Sequence, residues 1–351
     1  MTIVAHAHPF VVGADTHART HTLAVLAPSG QVLDTATFPT TTAGMARAIA
    51  WVARRTGGDL GALWVIEGVA SYGARLTAAV EQAGFTVVEA AAMNPHASHA
   101  TGKSDPLDAV RIAASVLALD TGQLRHPRAS EGVRAALRVL VSARDLMSTQ
   151  RTAAVNALTA LVRVVDLGLD ARRALTSTQI RAIARWRART EDLATATART
   201  EAVRLAGQVI GLDQQLTANT TRMRDLVRAS PAAPLLAQTG IGPVTAAIAL
   251  TAWSHHGRVR SEAAFAALAG VNPIPASSGN TVRHRLNRGG DRRLNRALHI
   301  ATVTRMTHDP TTRAYVQRRT AEGRTTKEIR RCLKRYLARH IYRTLNTTPA
   351  T

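Results

Sequence analysis

One cysteine, Cys332, stands in 351 residues, which excludes an intramolecular disulfide and any zinc cage built from cysteines. Uncharged apolar stretches of the ~18 residues that a membrane helix requires are also missing. Residues 240–253 come closest and are too short. The first ten residues show no basic region followed by an apolar run, so no signal peptide is expected and the chain reads as a soluble, cytoplasmic protein with no membrane partner. Internal repeats and low-complexity tracts are absent, and proline is missing from 131–229. Acids are scarce as well, 23 Asp and Glu against 45 basic residues, nearly all arginine, for a formal net charge of +22. A GC-rich genome would explain arginine in place of lysine, but not the missing acids. The guanidinium is a planar donor fork suited to phosphate, and a surplus this large implies a polyanionic partner, nucleic acid.

What is present is enough to fold. Apolar residues make up 46% of the chain, which argues against disorder, and the length suits two or three domains. Over the first 120 residues strand and helix signals alternate. Apolar runs at 10–16 and 22–27 precede the turn Pro28-Ser29-Gly30 and a third β-rich run at 31–38. A helical pattern at 43–55, a buried-strand run at 62–67, a helix at 71–83 and a strand at 85–90 follow. With a helix after Asp105, the order βββαβαβα is that of an RNase H-like α/β fold.

Apolar residues then recur at helical spacing, as in Leu158, Leu161, Val162 and Val165, or Leu205, Val209, Leu212 and Leu216. Such narrow stripes on long polar helices suit an antiparallel coiled-coil arm or a dimerisation arm. A third region, mainly helical, begins near Pro231. It contains an apolar helix at 244–253, a short helix at 262–269, a loop from 272 to about 281, and basic helices at 291–307, 310–321 and 326–345. Between Arg258 and Arg343 there are 20 Lys or Arg against 5 Asp or Glu, a net of +15, so most of the excess charge lies here. The expected domains are 1–125, 126–230 and 231–351.

Four carboxylates stand at telling positions in the first region. Asp15, in Gly13-Ala14-Asp15-Thr16-His17, ends the first strand, and Glu67 ends the run Trp64-Val65-Ile66. Asp105 and Asp108, in Lys103-Ser104-Asp105-Pro106-Leu107-Asp108, start a helix, three residues apart and so on one face. Two-metal phosphoryl transfer needs several carboxylates on ions ~3.5–4 Å apart, and strand ends beside a helix can supply them. Magnesium prefers oxygen, and no histidine or cysteine cluster competes. Taken singly, Asp105 before Pro106 could be a helix N-cap, and Asp108 could simply favour the helix dipole. Asp15 and Glu67 close apolar strands, where an unpaired charge is costly unless something binds it.

In the third region the proline-bounded loop carries Ser277-Ser278-Gly279-Asn280. A serine on such a loop could be an exposed nucleophile, or Ser-Ser-Gly could be no more than a turn. No His–Asp pair at a familiar spacing accompanies it, so it is not a hydrolase triad. Thr239-Gly240-Ile241-Gly242-Pro243 looks like a helix-hairpin-helix, in which Gly240 and Gly242 free backbone N–H groups for a phosphate. A plain helix–turn–helix connection is the other reading. Arg283, Arg285, Arg288, Arg292, Arg293 and Arg296 crowd around Gly289-Gly290 with few acids nearby, which favours phosphate contact over a solvated basic helix.

Together these stretches resemble the transposases of the insertion sequence 110 family, relatives of the Piv invertase. The resemblance rests on Val12-Gly13-Ala14-Asp15 with Glu67, on Gly102-Lys103-Ser104-Asp105-Pro106-Leu107-Asp108-Ala109, and on the run from Thr239-Gly240-Ile241-Gly242 through Ser278-Gly279 to Gly289-Gly290-Asp291-Arg292-Arg293-Leu294. It implies a RuvC-like DEDD domain in which Asp15, Glu67, Asp105 and Asp108 hold Mg²⁺. It further implies a coiled-coil arm and a C-terminal domain in which Ser278, or its neighbour Ser277, attacks DNA. Donor and target DNA, a structured guide RNA from the element and a dimer or tetramer are the partners it implies. A RuvC-like junction nuclease without a covalent intermediate, and a catalytically inactive nucleic-acid scaffold, are the alternatives.

Overall fold

A computed structural model describes residues 2–90, 104–128, 132–278, 280 and 284–347. The chain divides into two compact units, Met1–Ser130 and Glu131–Thr351, and each has cores of its own.

The first unit opens with a single helical turn, α1 (Val4–Ala7), followed by β1 (Val11–Thr16), β2 (Thr20–Leu26) and β3 (Val32–Pro39). Helix α2 (Thr42–Thr56), strand β4 (Leu63–Ile66), helix α3 (Ala74–Gln82), strand β5 (Thr86–Glu89) and helix α4 (Asp105–Leu117) complete it. The strands form one sheet in the order β3-β2-β1-β4-β5. The first three are antiparallel, while β1 and β4, and β4 and β5, run parallel. Strand β1 is apolar on both sides because helices cover both faces of the sheet. Val12, Ala14, Trp64 and Ile66 pack with Met45, Trp51 and Leu76 of α2 and α3. Val11, Leu63 and Val65 pack with Ala109, Ile112 and Val116 of α4.

Strand alternation places Gly13 and Asp15 on the same side as Val11, towards α4. A Cβ on Gly13 would lie 2.0 Å from the Ala109 carbonyl oxygen and 2.7 Å from the Ala113 nitrogen. Only glycine lets the helix backbone come this close to the strand, and that approach fixes where the first turn of α4 stands relative to Asp15. Helix α3 begins at Ala74 rather than at 71. Gly68 is left-handed, at φ +62°, and the N–H groups of Ser71 and Gly73 both donate to its carbonyl, so residues 68–73 form a closed turn that the helical periodicity did not reveal.

The second unit is led by two long helices, α5 (Gly132–Val164) and α7 (Leu193–Arg228), with the short α6 (Ser177–Ile183) between them. Arg144 donates to the Leu216 carbonyl, Arg151 pairs with Asp213, and Asn219 donates to the Leu140 carbonyl. Residues further along α5 thus meet residues earlier in α7, so the pair is antiparallel. Its outer half has a core around Leu158, Ile183 and Val209. Its inner half, with Leu137 and Met223, joins the core of the remaining helices. Those are α8 (Pro243–Trp253), α9 (Glu262–Leu268), α10 (Arg292–His308), α11 (Pro310–Ala321) and α12 (Thr326–Thr347). Helix α8 is apolar all round because it is buried all round. None of the helices is long and apolar enough to cross a membrane among the described residues.

Two expectations are corrected here. The stretch 272–281 is not simply a loop. Strand β6 (Pro273–Pro275) pairs antiparallel with β7 (His284–Leu286) in a two-stranded ribbon. Such a ribbon tolerates proline because each strand has an open edge where a missing N–H costs nothing. Before the Gly240 turn stands a five-residue 3₁₀ segment, Ala233–Ala237, in place of a full helix. Pro231 and Pro234 lie in and just before it, and Pro234 has no N–H for an α-helical ladder.

Candidate functional site

The candidate residues fall into two groups, one in each unit. In the first, Asp15 is the penultimate residue of β1 and is buried, its side chain 8% exposed. Burial pushes its carboxyl above the usual range; His17 opposes the rise, and the carboxylates of Asp105 and Asp108 add to it. The Nε2 of His17 lies 3.2 Å from Asp15 Oδ2 and 3.7 Å from Asp105 Oδ1. When Asp15 is ionised it can only accept, and the imidazole is then the donor. Among the described residues the carboxylates of Asp15 and Asp105 and the ring of His17 form a group whose ligand atoms lie within 4.8 Å of one another.

Helix α4 delivers Asp105 and Asp108. Ser104 is its N-cap and makes no side-chain cap bond. Asp105 is therefore the first helical residue rather than a cap, and its side chain, 55% exposed, faces His17. Asp108 accepts from Arg111 Nη1 at 3.1 Å, one turn along the same helix.

Glu67 follows β4 directly. Its N–H donates to the Ala14 carbonyl at 3.1 Å and its carbonyl accepts from Thr16 Oγ1 at 2.8 Å. The backbone is thereby anchored beside Asp15, yet the side chain is exposed and falls outside the close group. The burial argument holds for Asp15 and not for Glu67. The structure thus brings Asp15 and Asp105 together with His17, while Asp108, paired with Arg111 but near enough for its charge to act on Asp15, and Glu67 on the neighbouring strand end fall outside the close group. The residue the sequence reading passed over is His17. Asp15 and His17 are two apart at a strand end, a spacing that puts both on one face, and that was the available signal.

In the second unit Ser277 and Ser278 are both exposed beyond β6. The base of this hairpin is a tight backbone contact, where a Cβ on Gly290 would lie 2.3 Å from the Gly270 nitrogen. Amide side chains hold it. Asn287 Nδ2 donates to the Ala267 carbonyl and to Asn272 Oδ1, at 3.1 and 2.8 Å. Asn295 Nδ2 donates to the Ala269 carbonyl at 2.7 Å, and Lys334 Nζ donates to Asn295 Oδ1 at 2.6 Å. Burial pushes the Lys334 ammonium below its ordinary range.

The arginines divide into groups. Arg283 lies outside the described residues, as do Gly279, Gly102 and Lys103. Arg285 is exposed on β7. Arg288 and Arg292 line a cavity of about 480 Å³ at the foot of the hairpin, with Asn287, Asn295, Arg296 and His299. Arg293 and Arg296 bind Asp145 of α5, at 2.6 and 2.7 Å. The expected lack of counter-charge therefore fails for these two, because an acid distant in sequence supplies it. Gly240, at φ +81°, is required sterically, since a Cβ there would lie 2.6 Å from the Ala301 carbonyl oxygen. Gly242 is the N-cap of α8 and makes no side-chain cap bond. No atom stands within 4 Å of where its Cβ would be.

Comparison with known proteins matches both groups. Residues 12–165 match a DEDD family profile of the IS110 type, described as "Transposase". Residues 232–317 match a second, described as "Transposase IS116/IS110/IS902 family". The chain is 32% identical over 123 residues to the insertion element IS110 uncharacterized 43.6 kDa protein of Streptomyces coelicolor, covering 34% of this chain and 30% of that one. It is 28% identical over 270 residues to the insertion element IS900 uncharacterized 42 kDa protein of Mycobacterium paratuberculosis, covering 64% and 66%. The chain thus spans less than two thirds of the length of these relatives.

Proposed function

The chain belongs to the IS110/IS116/IS902 transposase family, and from that premise we propose that it is a DNA recombinase using a divalent-cation site on Asp15, Glu67, Asp105 and Asp108 together with a serine nucleophile, Ser278. In this reading 1–125 is an RNase H-like, RuvC-like DEDD domain, 126–230 a coiled-coil arm and 231–351 the domain that presents the serine.

The observation that carries it is the convergence of Asp15 and Asp105, from a strand end and a helix start, with Asp108 one turn along the same helix. The donor set fits a hard divalent cation. Carboxylate oxygens dominate, and Asp15 is held buried beside two like charges, an arrangement that a cation relieves. His17 Nε2 lies between Asp15 and Asp105 on a half-exposed ring, so it could add a nitrogen to the carboxylate oxygens. When bound, Mg²⁺ would neutralise charge on the scissile phosphate and polarise its P–O bonds.

Ser278 would supply the other half of the chemistry. Its Oγ forms a bond to phosphorus as the bond to one bridging oxygen breaks. The serine proton leaves, and the departing strand ends as a hydroxyl. The phosphoserine ester conserves the bond, so a hydroxyl of the partner strand reverses the step and rejoins DNA. Arg285, Arg288 and Arg292, the open α8 N-terminus at Gly242, and Arg283, Arg293 and Arg296 would hold the backbone of donor and target DNA. A structured RNA from the element would choose the sites, and a dimer or tetramer would bring the two DNAs together.

Element-junction DNA, the element's RNA and Mg²⁺ incubated with the protein test this. A covalent protein–DNA adduct lost in both Ser278→Ala and Asp105→Asn supports it. Cleavage that survives Ser278→Ala contradicts the serine step and favours a junction nuclease, and binding without scission leaves a scaffold.

A further inference from the structure

Helices α10, α11 and α12 line a half-open cavity of about 200 Å³, away from the serine hairpin's own residues, with Thr302, Arg305, Thr312, Tyr336 and His340 over Leu333 and Leu337. Its volume is that of roughly six waters, enough for one phosphate group with part of its shell.

Three features of this cavity ask for an anion. Thr302 is 1% exposed and its hydroxyl has no hydrogen-bond partner. On the same helix Thr304 and Thr307 donate to the carbonyls of Ile300 and Val303, four residues back. Thr302 forgoes that ordinary solution, and a buried hydroxyl left unmatched is uncommon. Arg305, one turn further along, is partly buried, and among the described residues its acid is Asp309, at 3.9 Å. That carboxylate is shared, since Asp309 Oδ2 also accepts from both the N–H and the hydroxyl of Thr312 as it caps α11. His340 reaches the cavity from α12. Burial and the charges of Arg305 and Arg343 hold its imidazole below the usual range, although Arg343 is itself paired with Glu262. The Arg305 guanidinium, paired at 3.9 Å with Asp309, thus shares the cavity with the unmatched Thr302 hydroxyl and the His340 ring. The Gly240 turn packs on the same stretch of α10, where a Cβ on Gly240 would lie 3.0 Å from Arg305 Cγ, so the arginine stem cannot swing freely away.

We propose that this cavity is a phosphate-binding site, in which Arg305 and His340 hold the charged oxygens and Thr302 donates its hydroxyl. The phosphate could belong to the backbone of a strand or to a strand's end; the chemistry is the same. The proposal depends on neither the serine step nor the carboxylate site.

Full-length protein with labelled histidine, His340 being assigned by comparison with His340→Gln, tests it by nuclear magnetic resonance. His340 is titrated in chloride, in inorganic phosphate and in sulfate at equal ionic strength. In phosphate or sulfate its half-titration point should rise by about one pH unit. In Arg305→Leu that oxyanion-dependent rise should vanish. Thr302→Val should weaken the phosphate effect about tenfold, the worth of one hydrogen bond to a charged group, while its melting temperature stays level or rises. A rise with an unphosphorylated dinucleotide assigns the site to backbone phosphate, and a rise only with a 5′-phosphorylated one assigns it to strand ends. No oxyanion-dependent rise in the unaltered protein overturns the proposal, as does a rise that persists in Arg305→Leu.

Discussion

The carboxylate edge of the first unit and the serine hairpin of the second are positioned by different physics. Asp15, Asp105 and Asp108 are set by backbone packing, in which a helix rests directly on Gly13 of a central strand and the acid at that strand's end is buried. The serine hairpin is exposed, and its foot is tied by amide side chains and one half-buried lysine. The first arrangement leaves almost no tolerance, because packed backbone cannot yield. The second rests on several hydrogen bonds, each of which can be removed for a modest loss.

The largest effect that separates the two is expected from Asp15→Asn. If Asp15 holds the cation, adduct formation should fall by about 10²–10³ or more, the size seen when one preorganised electrostatic group is lost. The fold should meanwhile be unharmed or firmer, because a buried carboxyl beside two like charges becomes neutral. Thermal melting read beside a cleavage assay checks both, and a drop in melting temperature would count against the electrostatic reading. Gly13→Ala should instead cost stability, about 3 kcal/mol or more, since its new Cβ would meet the Ala109 carbonyl. Denaturant unfolding followed on Trp51 or Trp64 of the first unit would show it.

This contrast also explains what the sequence made legible. The order of strands and helices in the first unit could be read, because its apolar runs and turn residues agree with the fold. Asp15 could be singled out because a charge after an apolar run is conspicuous. The position of α4 against Gly13 could not be read, since nothing local says which glycine a helix will touch. His17 was hidden for another reason, being one ordinary polar residue in a turn until Asp105 is brought beside it. In the second unit the hairpin was obscured by Pro273 and Pro275, which argue against strand unless both edges are open. The pairing of Asp145 with Arg293 and Arg296 joins residues some 150 apart, beyond any local pattern.

The smaller effects probe the second unit. Lys334→Met removes one tie at the hairpin foot and Asn295→Ala that tie and the bond to the Ala269 carbonyl, and each should slow adduct formation by about tenfold, the equivalent of one or two hydrogen bonds. Cation binding by the first unit, followed by Mg²⁺-dependent melting, should not change. Asp145→Ala should act in the opposite sense. Arg293 and Arg296 lose their counter-charge, so affinity for DNA should rise a few-fold and the slope of log affinity against log salt should steepen by about one to two. A weaker or unchanged affinity would mean that the two arginines do not face nucleic acid.

The smallest expected effect is on acid stability. Arg343 and Arg339 hold the Glu262 carboxyl at about 2 against an ordinary 4.5. The folded value is the depressed one, so the stabilisation is complete above about 4.5 and fades as the pH falls towards 2. Glu262→Gln should flatten unfolding midpoints over that window and leave the first unit's carboxylates untouched.

The division of labour between the two regions is tested most directly by locating the covalent bond. The adduct formed with element-junction DNA and Mg²⁺ is digested with protease and nuclease, and the nucleotide-bearing peptide is identified by mass spectrometry. The account predicts a nucleotide esterified to Ser278, absent when Asp105→Asn protein is used. A nucleotide on any residue of the first unit, or cleaved DNA with no linkage to protein, would contradict it.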